Sequence, residues 1–111
     1  MAKGFFVQDG KVLDYKNDGS AAIAYGDVVA LTACIGVAEC DIPKGGIGAL
    51  SVSGVYELPA DTSAAFTMGQ ALFWDSTNGT VKGTTSSGLI PCGFAAAPKE
   101  SAAAVCLCKI G

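Results

Sequence analysis

The side chains able to do chemistry in this sequence are five cysteines, ten carboxylates and seven lysines, with neither histidine nor arginine. Cys34, Cys40, Cys92, Cys106 and Cys108 are the candidate metal ligands or redox thiols. A structural zinc site draws on cysteines paired roughly two to four residues apart, often completed by histidine. Here the intervals are five residues between Cys34 and Cys40 and one between Cys106 and Cys108. On a strand, Cys106 and Cys108 point to one face, a poor geometry for a mutual disulfide. An odd cysteine count without a secretion signal fits reduced thiols packed as small hydrophobes. No residue is assigned as a metal ligand or as cofactor-binding.

The acids are Asp9, Asp14, Asp18, Asp27, Glu39, Asp41, Glu57, Asp61, Asp75 and Glu100. Two of them in a cleft would make a hydrolase. Most adjoin turns instead, where an aspartate bonds its own backbone. Asp75-Ser76-Thr77-Asn78-Gly79 lacks the alternating acids and final glutamate of a calcium loop. Lys44-Gly45-Gly46-Ile47-Gly48 is not a phosphate-binding loop. Without histidine there is no Ser-His or Cys-His nucleophile pair. A net charge of −3 and no arginine leave no footprint for a nucleic-acid backbone. No catalytic residue is found, so no enzyme is expected.

These residues must be held by a small frame. The chain's 111 residues make one domain, with residues 1–8 available as an N-terminal arm. Half the residues are hydrophobic and only 15% are charged, against about 25% in an average protein. So little charge points to surface covered by other chains. The longest charge-free stretch, Gly83 to Pro98, holds two prolines and a Thr-Thr-Ser-Ser run. A spanning helix needs about 20 mostly apolar residues, so no membrane segment is expected. The apolar run Phe5-Phe6-Val7 is too short for a signal peptide, which places synthesis in the cytoplasm.

Helical periodicity is nearly absent. Short β-branched and aromatic runs separated by Asp9-Gly10, Asp18-Gly19, Gly45-Gly46 and Asn78-Gly79 predict a small all-β domain, barrel-like or a β-sandwich, with hairpin turns. Alternation over Ile47 to Leu58 predicts one long strand, with Leu50, Val52, Tyr56 and Leu58 on its apolar face and Pro59 ending it. Asp61 and Thr62 could cap a single helical turn through Phe66. A last strand is expected over Ala103 to Ile110. One internal echo stands out: Tyr25-Gly26-Asp27-Val28-Val29 leading to Gly36-Val37-Ala38, and Met68-Gly69-Gln70-Ala71-Leu72 leading to Gly93-Phe94-Ala95. The second copy is longer, as if the Asn78-Gly79 hairpin had been inserted.

Tyr25-Gly26-Asp27-Val28-Val29, Gly36-Val37-Ala38, Gly54-Val55-Tyr56-Glu57-Leu58-Pro59, Gly69-Gln70-Ala71-Leu72-Phe73-Trp74-Asp75 and Gly93-Phe94-Ala95, in that order, resemble the capsid decoration (cement) proteins of tailed bacteriophages. In particular they resemble the small family encoded beside the major capsid protein. The chain departs from that pattern in its five cysteines and its lack of arginine. The resemblance implies a homotrimer on the outer capsid surface that binds the major capsid protein and holds the expanded shell. The bet for capsid contact is Ala2, Lys3, Gly4, Phe5, Phe6, Val7 and Gln8, an apolar segment able to add a strand to a capsid edge; the alternative is that Phe5 and Phe6 begin this domain's own first strand. For the trimer interface the aromatics Tyr56, Phe73 and Trp74 are the candidates. Two rival classes are a cysteine-based metal or redox module and a non-viral β-domain that stacks sugars on those aromatics.

Overall fold

The computed structural model of the chain describes residues 2–6 and 10–111. Among the described residues nine strands follow one another: β1 (Val12–Lys16), β2 (Val28–Ala30), β3 (Ile35–Ala38), β4 (Ile47–Ser51), β5 (Gly54–Pro59), β6 (Ala71–Asp75), β7 (Thr80–Lys82), β8 (Ile90–Ala95) and β9 (Val105–Ile110). They form two antiparallel sheets, ordered β1-β4-β3-β2 and β5-β9-β8-β6-β7. The all-β expectation holds, with two open sheets rather than a closed barrel. No helix among the described residues is long and apolar enough to cross a membrane.

Asn78-Gly79 makes the expected hairpin, joining β6 to β7 with Gly79 N–H donating to the Asp75 carbonyl at 2.7 Å. The expected long strand is two. The chain leaves the first sheet after Ser51 and joins the second at Gly54, whose φ of +127° lets it turn. Alternation continues across the break because it reports sidedness, not sheet membership. Pro59 is the last residue of β5, an edge strand where a missing N–H is tolerated. The helical turn at Asp61-Thr62 does not form. The Asp61 carboxylate accepts from the Ser63 N–H and hydroxyl at 2.9 and 2.7 Å, and Phe66 pairs with Lys99 through two backbone bonds of 3.0 Å. Phe5 and Phe6 lie in no strand; Val7, Gln8 and Asp9 are outside the described residues.

The core joins both sheets. Ile35 and Val37 of β3 share one buried cluster with Leu58, Trp74, Val81 and Cys108 of the second sheet. The Tyr56 hydroxyl donates to Ser51 Oγ at 2.7 Å and ties β5 to β4. Cys92, Cys106 and Cys108 are buried in this core as expected, whereas Cys34 and Cys40 are exposed, contrary to expectation. Both lie where the first sheet's chain turns, away from the shared core.

The internal echo is a structural repeat, longer than the sequence phrases suggest. Residues 12–26 match residues 55–69 at a constant offset of 43 (12 to 55, 26 to 69), including Asp18/Asp61, Ser20/Ser63, Ala21/Ala64 and Ala22/Ala65. Gly26 and Gly69 have φ of +86° and +85°, where only glycine is relaxed. Gly26 N–H donates to Ala38 O and Gly69 N–H to Ala95 O, both at 2.8 Å. The next side chain closes each turn: Asp27 Oδ2 accepts from Ala24 N–H at 2.9 Å, Gln70 Oε1 from Thr67 N–H at 3.0 Å. Thus β1, β2, β3 and β4 correspond to β5, β6, β8 and β9, and both sheets run first-fourth-third-second. Strand β7 is the addition.

Candidate functional site

Four aspartates are occupied by nearby turns. Besides Asp27 and Asp61, Asp41 accepts from Tyr25 N–H at 2.8 Å, and Asp75 accepts from the Thr77 N–H, the Asn78 N–H and the Asn78 side-chain amide. The Ser63 hydroxyl, then the Ser63 N–H, hold the Asp61 carboxyl below its ordinary value. The Asn78 amide does the same for Asp75. Among the described residues no three Cys, Asp or Glu side chains stand together as a metal-ligand set. Cys92 and Cys108 lie with sulfurs 3.9 Å apart, and the hydrogen bond to Cys108 together with burial pushes the Cys92 thiol up. Burial raises Cys106 to about 11. Such thiols stay protonated near neutrality and are poor nucleophiles.

What the chain presents to the outside is apolar surface. Ala2, Lys3, Gly4, Phe5 and Phe6 are all exposed, Phe5 at 83% and Phe6 at 76%. Val7 and Gln8, the remainder of the segment expected to touch the capsid, lie outside the described residues. The three aromatics expected at a trimer interface have separate placements. Trp74 is in the core at 6% exposure. Tyr56 is half-buried on the same inner face, its hydroxyl spent on Ser51. Phe73 points the other way, alternating with buried Leu72 and Trp74, and remains half-exposed.

Phe73 belongs to a larger surface to which no motif in the sequence points. The outer face of the second sheet carries Val55, Phe94, Val105 and Leu107, exposed by 56, 42, 47 and 42%. The register brings them together on adjacent strands: Val55 opposite Lys109, Lys109 opposite Phe94, and Glu57 opposite Leu107. Lys109 Nζ lies 5.9 Å from the Phe94 ring centre. Beside Val105 and Leu107 a groove of about 240 Å³ is lined by Glu57, Pro98 and Ala103. One signal was available. Strand β9 is apolar on both faces, Val105 and Leu107 on one and Cys106, Cys108 and Ile110 on the other, the pattern of a strand covered on both sides.

The phage cement protein family matches residues 7–110, nearly the whole chain. A search of curated proteins and of solved structures returns no match. The chain belongs to the phage cement protein family.

Proposed function

We propose that this member of the phage cement family works as a homotrimer on the outer surface of a phage head, binding the major capsid protein and stabilising the expanded shell. A capsid cement role on the virion follows from family membership. The observation that carries the proposal is the match over residues 7–110. The fold supports it: Asp27, Asp41, Asp61 and Asp75 hold turns, the Cys92 and Cys106 thiols are held protonated, and large apolar side chains such as Phe5, Phe6 and Phe94 stand exposed.

The mechanism is binding free energy. A ligand that holds the assembled shell and not its dissociated subunits stabilises the shell by mass action. Three linked contacts add avidity, since the second and third form at high effective concentration. Segment 2–8 is the proposed capsid contact. Its two exposed phenylalanines are suited to apolar pockets on a partner, where buried aromatics dominate affinity. The segment lies almost wholly ahead of the family match, so it suits contact with one particular capsid.

The test is binding of the purified chain to expanded heads stripped of it. Saturable binding with raised thermal survival of the heads is expected, and no binding overturns the cement reading. Phe5→Ala with Phe6→Ala is expected to weaken binding roughly thirtyfold or more, the size of one lost hot spot. Unchanged affinity in that variant removes the segment from the interface.

A further inference from the structure

The two halves of the repeat present the same face to different surroundings. On the first sheet, Val37 and its cross-strand partner Val28 lie on the face shared with Ser51, Asp14 and Val12. The equivalent residues on the second sheet are Phe94 and Ala71, on the outer face with Lys109, Glu57 and Val55. Val37 is covered, 7% exposed, because the inner face of the second sheet packs on it. Phe94 is 42% exposed, since among the described residues no sheet packs on that face and Lys109 alone reaches over its ring. The molecule therefore shows what fits this kind of face: the opposite face of a neighbouring half. Within one chain the inner face of the second half is used in this way. That of the first half is closed around Leu50 and Ala38, both 1% exposed, but open along β1, where Leu13 is 40% exposed and Tyr15 half-buried.

We infer that the outer face of the second sheet, centred on Phe94 and Leu107, docks onto the Leu13–Tyr15 face of the first sheet of a second copy of this chain, repeating between molecules the contact that joins the two halves within one. The inference rests on the oligomeric cement reading and names the surface by which copies associate. Each copy offers one face of each kind, so the contact is heterologous and generates a ring when its rotation closes. Phe73, on the same outer face, joins the interface, whereas Trp74 and Tyr56 stay inside the protomer. The low charge of the sequence is then explained: much of this sheet's outer surface is shielded in the assembly.

Light scattering on the purified full chain tests it. The parent is expected at a multiple of 11.1 kDa. The double variant Phe94→Asp/Leu107→Lys should fall to the monomer mass with unchanged circular dichroism, self-associating at least about a hundredfold more weakly. A parent that is monomeric, or a double variant that keeps the parent mass, overturns the inference. A double variant that keeps its mass but no longer binds heads assigns the face to the capsid instead and also overturns it. In a Cys34→Ser/Cys40→Ser background, mixing Leu13→Cys with Leu107→Cys should give disulfide-linked dimers on mild oxidation with oxidised glutathione. Dimers from Leu107→Cys alone mean a face-to-itself contact and overturn the head-to-tail pairing. Head binding by the parent is measured on the same material, so failure of the cement reading shows there separately.

Discussion

In the first half of the chain the carbonyl of Ala21 is satisfied by the Asn17 side-chain amide at 2.9 Å, and the same amide reaches Ile42 O at 3.1 Å. In the second half the equivalent carbonyl, Ala64 O, is satisfied by Lys99 Nζ at 2.7 Å. Asn17 corresponds to Ala60 (17 to 60) and Lys99 to Ile42 (42 to 99), so the donor has moved from one side of the loop to the other. Both donors are almost fully buried, Asn17 at 2% and Lys99 at 6% exposure. Among the described residues Lys99 has no carboxylate partner; two more carbonyls, Glu100 O at 2.9 Å and Ser101 O at 3.3 Å, and the Phe66 ring at 4.8 Å surround its ammonium. A buried acceptor must be met, but either flanking strand can supply the donor.

The comparison is broken most severely at the paired glycines. At Gly93, φ +134°, an added Cβ would fall on the Lys109 carbonyl, whereas at Gly36 it would meet only the Leu50 side chain, at 2.5 Å. Gly93→Ala is expected to cost about 4 kcal/mol or more, because backbone would have to move in a conformation alanine avoids. Gly36→Ala should cost roughly 1–3 kcal/mol as overpacking, and Gly36→Ala with Leu50→Ala should cost less than the sum of the two. Urea denaturation of the four variants measures this. Equal costs at Gly36 and Gly93 would remove the distinction.

The exchanged donor is the next test. Lys99→Ile strips the donor from three carbonyls and is expected to cost about 2–4 kcal/mol. Adding Ala60→Asn, which rebuilds the first half's arrangement in the second, should restore about 1 kcal/mol or more. A double variant no more stable than Lys99→Ile alone would show that the halves are not interchangeable at this point.

The smallest effect concerns acid. Asp61 and Asp75, both in the second half, have carboxyls held below their ordinary value of 3.8 by bonds from Ser63 and Asn78. A folded-state value lower than the unfolded one means that the unfolded chain binds protons first as pH falls. The stabilisation is therefore complete above about pH 4 and is lost as pH drops through the lowered folded values. Asp61→Asn with Asp75→Asn should flatten the fall in melting temperature below pH 4. An unchanged slope would remove these carboxylates from the acid response.

The alternating runs and turn dipeptides were enough to show an all-β chain, and Asn78-Gly79 named its hairpin. Gly26 and Gly69 marked the repeat, because a turn that demands positive φ leaves glycine at both copies. The passage from β4 to β5 was not legible, since Leu50, Val52, Tyr56 and Leu58 keep one period across two sheets; Gly54 was the only hint. Nor could burial be read at Lys99, whose type favours solvent and whose shortest bond goes to a carbonyl 35 residues away, Ala64 O. Tyr56, Phe73 and Trp74 lie on two faces of the sheet because neighbours on a strand point opposite ways, which sets Phe73 outward and Trp74 inward.

Strand β7 has no counterpart in the first half, yet its Val81 is fully buried and Ala60 pairs with it in a parallel bridge. The residues that connect it to β6 are another matter. Ser76, Thr77 and Asn78 are exposed, anchored at their base by Asp75. The first half manages with a plain short loop in the corresponding place, so chain length there is already shown to be negotiable, and a graft at the tip leaves Val81 seated. That tip is therefore the place where a foreign peptide can be carried without disturbing the core.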